Sequence, residues 1–273
     1  MRNLKSVLIA LVLIVGLLAA SFGAAYAITN GRPDGEEHPY VGLAVFDDAE
    51  GNPMWRCSGT LLSPTLFLTA GHCTEAPAAS ATIWFESDVQ AGRPENGYPF
   101  GGPTSVEGTP YTHPDYDPGA FYLHDLGVVI LDTPLYMGQY GTLPEEGMLD
   151  ALATRRGLQD VTFTAVGYGL QRINPVFVEG YLIRLQATLR LIDLKGTAGI
   201  PAGTSVILSN NARTGGTCFG DSGGPLFYDA TNIVAAVTSF GLNGNCAGVG
   251  GGYRVDTADD LNWLYGTFGA HLP

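Results

Sequence analysis

The chain has 273 residues, of which 45% are hydrophobic, 14% are charged and 38 are glycine. This length and composition indicate a turn-rich globular protein and exclude an intrinsically disordered one. The formal net charge of −13 argues against nucleic acid or an anionic membrane as a partner.

The first 27 residues have the three parts of a secretory signal peptide. Arg2 and Lys5 give a positive start, residues 7–20 form an apolar run, and Ala25-Tyr26-Ala27 fits a cleavage site. An uncleaved anchor is the alternative, because the apolar stretch counted from 7 to 28 is just long enough to span a membrane. We expect cleavage, and therefore a secreted protein that begins at Ile28 and does not contact the membrane.

Short apolar segments separated by turns follow from residue 41 onward, which is typical of an all-β protein. The predicted strands are 41–46, 54–57, 60–68, 82–85, 105–107, 126–131, 161–168, 181–192, 204–208, 233–240 and 252–255. The acidic turn 47–53 between the first two has the composition of a solvated hairpin tip, with a calcium site as the alternative. Residues 135–152 are predicted to be a linker. A helix is predicted after Thr257, its N-cap, with Asp260 three residues on.

A glycine-rich turn places Ser222 in the sequence Gly-Asp-Ser-Gly-Gly-Pro at residues 220–225. Glycine allows tight turns and close approach to a ligand, so we predict an exposed hydroxyl. The backbone N–H groups of Gly220 and Ser222 could then point at a developing oxyanion. A serine hydroxyl is a poor nucleophile until a base takes its proton, so the motif requires a histidine and an acid to orient it.

Both partners lie upstream, His72 in Thr-Ala-Gly-His-Cys and Asp125 in His-Asp-Leu-Gly-Val-Val. The order His72, Asp125, Ser222, with spacings of 53 and 97 residues, resembles the chymotrypsin-like (trypsin-fold) serine proteases. The resemblance covers nearly the whole chain after residue 27. It implies one protease domain over residues 28–273 with two six-stranded antiparallel β-barrels, at about 28–145 and 146–255, and a C-terminal helix at 257–268.

The resemblance also implies a mechanism, which we take from the family. Ser222 would attack the scissile carbonyl and form an acyl-enzyme. His72 would take the serine proton and return it to the leaving amine, and Asp125 would orient His72. The N–H groups of Gly220 and Ser222 would form the oxyanion hole.

The family resemblance assigns a role to the new N-terminus at Ile28. Its amino group would insert and pair with Asp221, the residue before the nucleophile. Because the cleavage site abuts Ile28, we predict that signal cleavage itself creates the active terminus and that no zymogen exists. The alternative is that Ile28 is an ordinary strand residue and Asp221 caps a turn.

Four cysteines in a chain bound for an oxidising compartment favour disulfides over free thiols or a metal site. Three connectivities are possible from the sequence, and the resemblance implies Cys57–Cys73 and Cys218–Cys246. Only the first two lie near a histidine, and no second histidine or acid sits at ligand spacing. We therefore predict no metal and no cofactor.

Two further histidines lie near the motif residues. His113 competes with His72 for the role of base, but His113 precedes a proline in a loop, which predicts a surface residue. His124 is next to Asp125, and we expect it to face away because side chains alternate along a strand.

The resemblance places Gly216 at the floor of the primary specificity pocket and Ser239, Phe240 and Gly241 along the substrate backbone. No acid lies between residues 214 and 219, so cleavage after Lys or Arg is not expected. A neutral open pocket favours large apolar or aromatic residues, with an elastase-like preference as the alternative. We expect a monomeric endopeptidase that acts on proteins or peptides and binds protein inhibitors. The alternatives are a non-catalytic binding protein on a protease fold and a serine esterase.

Overall fold

The computed structural model describes residues 28–153, 160–173, 178–196 and 199–273. The predicted signal peptide, residues 1–27, lies outside the described residues. No helix in the described part of the chain is long and apolar enough to cross a membrane.

Six antiparallel strands close the first barrel in the order β2-β3-β4-β7-β6-β5. The strands are β2 (Val41–Asp47), β3 (Pro53–Leu61), β4 (Leu66–Thr69), β5 (Ser80–Trp84), β6 (Ser105–Thr112) and β7 (Gly127–Leu131). β2 is buried along its whole length, because one face lines the barrel core and the strand also packs against the second barrel. The predicted strands 54–57 and 60–68 differ from this, since β3 runs on to Leu61 and a turn precedes β4.

The second barrel contains six strands in the order β11-β12-β15-β14-β13-β8, and pairing of β8 with β11 closes it. A short seventh strand, β1, pairs with the first two residues of β11. These strands are β1 (Arg32–Pro33), β8 (Thr162–Gly167), β11 (Leu185–Asp193), β12 (Ser205–Asn210), β13 (Pro225–Tyr228), β14 (Val234–Gly241) and β15 (Gly248–Arg254). A separate two-stranded ladder joins β9 (Arg172–Ile173) to β10 (Val178–Glu179). The prediction of two six-stranded barrels is confirmed.

The helices described are short: α1 (Gly71–Thr74), α2 (Asp150–Ala153) and α3 (Ala258–Phe268), with 3₁₀ turns at Pro118–Ala120 and Gly269–His271. The predicted C-terminal helix is therefore present, and Thr257 occupies its N-cap position. The Thr257 hydroxyl bonds to the side chains of Asp259 and Asp260 and not to a backbone N–H, so the predicted capping bond is not formed.

Disulfides join Cys57 to Cys73 and Cys218 to Cys246, which is the pairing that the family resemblance implies. The first disulfide anchors the segment that carries His72, and the second ties the loop before Ser222 to the loop before β15. Closing loops of this length stabilises the fold by about 3–4 kcal/mol each in the chain-entropy account.

Candidate active site

A cleft of about 550 Å³ is lined by His72, Ser222 and residues of β14. His72 belongs to α1, which follows β4 of the first barrel, and Ser222 precedes β13 of the second. The two motif residues, 150 positions apart in sequence, therefore come to one cleft only because the barrels pack together.

The pairing of β4 with β7 brings His72 to Asp125. Thr69 at the end of β4 lies opposite Gly127 at the start of β7, so the residues just beyond these ends are neighbours. The Asp125 carboxylate is fully buried and accepts a 2.8 Å hydrogen bond from the His72 backbone N–H. The His72 Nδ1 atom lies 2.9 and 3.1 Å from the two carboxylate oxygens. The contact fixes the ring and leaves Nε2 as the atom that could accept a proton.

Asp125 also changes the basicity of His72. Burial lowers the pKa of His72, but the charge of Asp125 and its hydrogen bond outweigh this effect, and the pKa is raised above its ordinary value. A base with a raised pKa holds a proton more firmly once it has taken it, which suits a group that accepts a proton during a reaction.

Ser239 donates a 2.5 Å hydrogen bond from its hydroxyl to Asp125 Oδ2. The sequence predicts Ser239 as a residue that contacts the substrate backbone, and its link to the acid was missed. The two residues are 114 positions apart, and no spacing pattern connects them. Only the approach of β14 to the first barrel could have revealed the contact.

Glycines around Ser222 are required by close packing. Gly223 has φ +74°, and a Cβ there would lie 1.9 Å from Thr69 Oγ1. The Gly223 N–H donates to the Thr238 carbonyl at 2.7 Å, and the Ser222 carbonyl accepts from the Ser58 N–H at 2.8 Å. These hydrogen bonds hold the turn that carries Ser222 against strands of both barrels.

The predicted oxyanion donors are not used elsewhere in the described part of the chain. Neither the Gly220 nor the Ser222 backbone N–H makes a hydrogen bond there, and Gly220 adopts φ +95°. Likewise, no hydrogen bond joins Ser222 to His72 among the described residues, although both line the cleft. Catalytic hydrogen bonds of this kind often tighten only when a substrate is bound.

Asp221 is buried, and its carboxylate accepts backbone N–H bonds from Gly169 at 2.8 Å and Cys218 at 2.9 Å. Burial raises the pKa of Asp221 to about 7. No ion pair to Asp221 occurs among the described residues. Ile28 is buried in the core of the second barrel, and in this chain it is joined to residue 27 by a peptide bond. The Ile28–Asp221 pair therefore stays a prediction about the cleaved chain.

The predicted specificity residues occupy two environments. Ser239, Phe240 and Gly241 line the cleft, together with Thr217. Gly216 is instead packed against Asn210, because a Cβ on Gly216 would lie 1.9 Å from the Asn210 amide oxygen. The cleft is instead lined by the three residues that follow Gly216, which are Thr217, Cys218 and Phe219.

His113 and His124 lie apart from the cleft. His113 is only 4% exposed, so the prediction of a surface residue was wrong. Its ring stacks on that of His124 with centroids 4.7 Å apart, and both lie beside α3. His124 has φ +52° and lies 3.5 Å from Asp259, so it faces away from Asp125 as expected.

Comparison with known proteins places these features in a family. The family model described as Trypsin matches residues 30–263. Brachyurin from Leptuca pugilator is 26% identical over 211 residues, which cover 76% of this chain and 83% of that protein. Serine protease 1 from Drosophila melanogaster is 27% identical over 226 residues, which cover 80% of this chain and 77% of that protein.

Solved structures share the fold at lower sequence identity. HL collagenase superposes with a TM-score of 0.68 at 22% identity, over 88% of this chain and 98% of its own. Human heparin binding protein superposes with a TM-score of 0.62 at 21% identity, over 87% and 95% of the two chains. At these identities the likeness shows the fold alone, whereas the family match spans most of the chain. The chain belongs to the trypsin family, and its curated relatives are serine proteases.

Proposed function

We propose that this protein is a secreted serine endopeptidase that cleaves peptide bonds through an acyl-enzyme on Ser222. The observation that carries the proposal is the buried Asp125 carboxylate 2.9 Å from Nδ1 of His72, which lines the same cleft as Ser222. The family match and the serine protease relatives support the same conclusion.

In the proposed reaction, His72 Nε2 takes the Ser222 proton as the serine oxygen attacks the substrate carbonyl carbon. The N–H groups of Gly220 and Ser222 stabilise the negative charge that forms on the carbonyl oxygen. Removing one such donor typically lowers kcat by about 10²–10³-fold. His72 then gives its proton to the leaving amine. Water repeats the attack on the ester and releases the acid and the free serine.

Cleavage after large apolar or aromatic residues fits the lining of the cleft. Among the described residues that line it there is no aspartate or glutamate that could pair with a lysine or arginine substrate side chain. Phe240 and Leu242 add apolar surface. A neutral pocket of this kind takes up apolar side chains by burying their surface.

Protein and peptide substrates are the proposed partners, and protein inhibitors would occupy the same cleft. Heparin binding, the property for which the human neighbour is named, is not favoured for this chain. A net charge of −13 repels a polyanion, so the fold likeness does not carry that function over. Two disulfides fit an oxidising compartment and support secretion.

A fluorophosphonate probe followed by intact-mass measurement tests the proposal on a chain that begins at Ile28. We expect one adduct on the parent chain, none on Ser222→Ala, and one on the matched control Ser105→Ala, whose serine lies outside the cleft. Absence of an adduct on the folded parent would contradict an activated serine and favour a binding protein. Turnover of ester but not peptide substrates would instead identify an esterase.

A further inference from the structure

Three side-chain atoms outside the cleft converge, and none has a hydrogen-bond partner among the described residues. His113 Nε2, His124 Nδ1 and Asp260 Oδ1 all lie within 4.8 Å of one another. Each atom is buried, and none makes a hydrogen bond in the described part of the chain. Such atoms are rare in folded proteins, because a buried polar atom without a partner destabilises the fold.

The surroundings of Asp260 aim one of its oxygens at the two imidazoles. Its Oδ2 accepts from the Tyr253 hydroxyl at 2.7 Å and from the Thr257 hydroxyl. The other oxygen, Oδ1, lies 3.8 Å from His113 Nε2 and 3.9 Å from His124 Nδ1. These separations are too long for hydrogen bonds, so the three atoms surround a space and do not bind one another.

We propose that His113, His124 and Asp260 form a binding site for a divalent transition metal ion of the zinc type. Two imidazole nitrogens and one carboxylate oxygen are the ligands that such ions prefer, and water can complete a fourth position. Calcium and magnesium are disfavoured because they take oxygen ligands. The proposal goes beyond the proposed protease function and does not depend on it.

The ligand separations are close to those that zinc needs. With metal–ligand distances of about 2.0–2.1 Å, tetrahedral ligands lie about 3.3 Å from one another. The two nitrogen–oxygen distances of 3.8 and 3.9 Å would each have to shorten by roughly half an ångström. The two rings are nearly parallel, with an interplanar angle of 12°, so at least one imidazole must turn about its Cβ–Cγ bond before both in-plane lone pairs meet at one ion.

Charge and protonation at the site favour a cation. Asp260 is fully buried, and Asp259 lies 3.5 Å from His124 Nδ1, so two carboxylates face the imidazoles. A metal ion competes with protons for imidazole and carboxylate ligands, so metal binding should weaken as the pH falls.

One hydrogen bond must be released when the metal binds. His113 Nδ1 accepts from the Asp115 backbone N–H at 3.2 Å, which leaves the ring proton of the neutral form on Nε2. Coordination through Nε2 moves that proton to Nδ1 and breaks this long bond. The metal–ligand bonds outweigh one long hydrogen bond, and the backbone N–H of Asp115 can instead donate a hydrogen bond to water.

The site would connect two parts of the molecule. His113 follows β6 and His124 precedes β7 in the first barrel, whereas Asp260 lies in α3 at the C-terminus. A bound ion would hold the C-terminal helix to the first barrel and raise the thermal stability of the protein.

Calorimetric titration with zinc chloride tests the proposal on the full chain from Ile28, in a Ser222→Ala background that prevents self-digestion. We expect one saturable site at pH 7.5 and at least tenfold weaker binding at pH 5.5. His124→Asn and Asp260→Asn should each weaken binding at least tenfold. Asparagine tolerates the positive φ of His124, and at position 260 its amide oxygen still accepts from Tyr253.

The matched control is His271→Asn, which removes a histidine that contacts Thr65 and lies away from the site. It should bind zinc like the parent, and zinc should raise the melting temperature of both. Absence of saturable binding in the parent would overturn the proposal. So would equal affinities in the three variants, or binding that is lost only in His72→Asn. If His124→Asn does not fold, the comparison rests on Asp260→Asn.

Discussion

At the scale of single residues, the buried Asp125 carboxylate is held by three donors. The His72 backbone N–H and Nδ1 supply two, and the Ser239 hydroxyl supplies the third. A buried carboxylate needs such partners, because an unsatisfied buried charge is strongly destabilising. In the proposed mechanism Ser239 would therefore act as a positioning residue, because its hydroxyl holds Asp125, which in turn orients His72.

Ser239→Ala removes one charge-assisted hydrogen bond from Asp125. A bond of this kind is worth about 1.5–3 kcal/mol, so we expect kcat/KM to fall by roughly 10- to 100-fold. Asp125 would then interact more strongly with His72, and the acid limb of the pH profile should move to higher pH. Steady-state kinetics on an apolar peptide substrate measures both effects.

Ser239→Thr is the matched control, because it keeps a hydroxyl at the same position and should recover most of the rate. An unchanged pH profile and kcat/KM in Ser239→Ala would show that the hydroxyl does not act through Asp125. A loss confined to KM would instead assign Ser239 to substrate binding.

Residues inside local motifs could be predicted from the sequence, because their chemistry depends on neighbours a few positions away. The glycines around Ser222 and the placement of His72 are of this kind. The Ser239–Asp125 bond and the burial of His113 could not be predicted, because they depend on which strand or helix lies opposite. His113 follows β6 in a loop, and the stacked His124 ring together with the packing of α3 against that loop buries it.

At the scale of elements, a buried ion pair fastens the N-terminal segment to the start of β11. Arg184 is fully buried, and its Nε donates to Asp34 Oδ2 at 2.9 Å. Its other nitrogens donate to the backbone carbonyls of Val41, Phe85 and Gly35. One side chain thus contacts the N-terminal segment and two segments of the first barrel.

Asp34→Ala should destabilise the protein by about 3–5 kcal/mol, because it leaves the Arg184 charge buried without its carboxylate. The exposed pair Arg32–Glu37 is the matched control, since both side chains are more than half exposed and Arg32→Ala should cost less than about 1 kcal/mol. Urea unfolding in the Ser222→Ala background gives both values. If Asp34→Ala and Arg32→Ala lowered the free energy of unfolding equally, burial would not be what makes the Asp34–Arg184 ion pair important.

Strand alternation predicted most elements of both barrels, but it missed β13, which has only four residues and directly follows the serine turn. The prediction that there are two barrels rested on the family resemblance, because the strand pattern does not reveal their number. Alternation shows which residues face a core, and it does not show which strand closes on which.

At the scale of the whole molecule, Asp221 is the residue through which the predicted N-terminus at Ile28 would act on the turn that carries Ser222. Its pKa of about 7 lies well above the ordinary value of 3.8, because the carboxyl is buried. The folded uncut chain therefore binds a proton more tightly than the unfolded chain. Stability from this group is fully present below about pH 4 and is lost as the pH rises to about 7.

The pH dependence of stability that Asp221 contributes can test the predicted activation step. We compare the free energy of unfolding of an uncut chain that retains residue 27 with that of its Asp221→Asn variant. The difference between the two should fall by on the order of 4 kcal/mol between pH 4 and pH 7. In a chain that begins at Ile28, the new α-amino cation would pair with the Asp221 carboxylate and hold its pKa down. The loss with rising pH should then disappear.

Thermal unfolding of both chains in the Ser222→Ala background, at pH 4, 5.5 and 7, measures the difference. With Ser222 restored, the chain from Ile28 should react with a fluorophosphonate at least about 100-fold faster than the chain extended by Ala27, because only the first can order the Gly220 and Ser222 donors. Equal reactivity with equal pH dependence would show that the Ile28 amine does not reach Asp221. The turn around Ser222 would then be set by the Gly169 and Cys218 amides alone, and cleavage after residue 27 would release the protein without activating it.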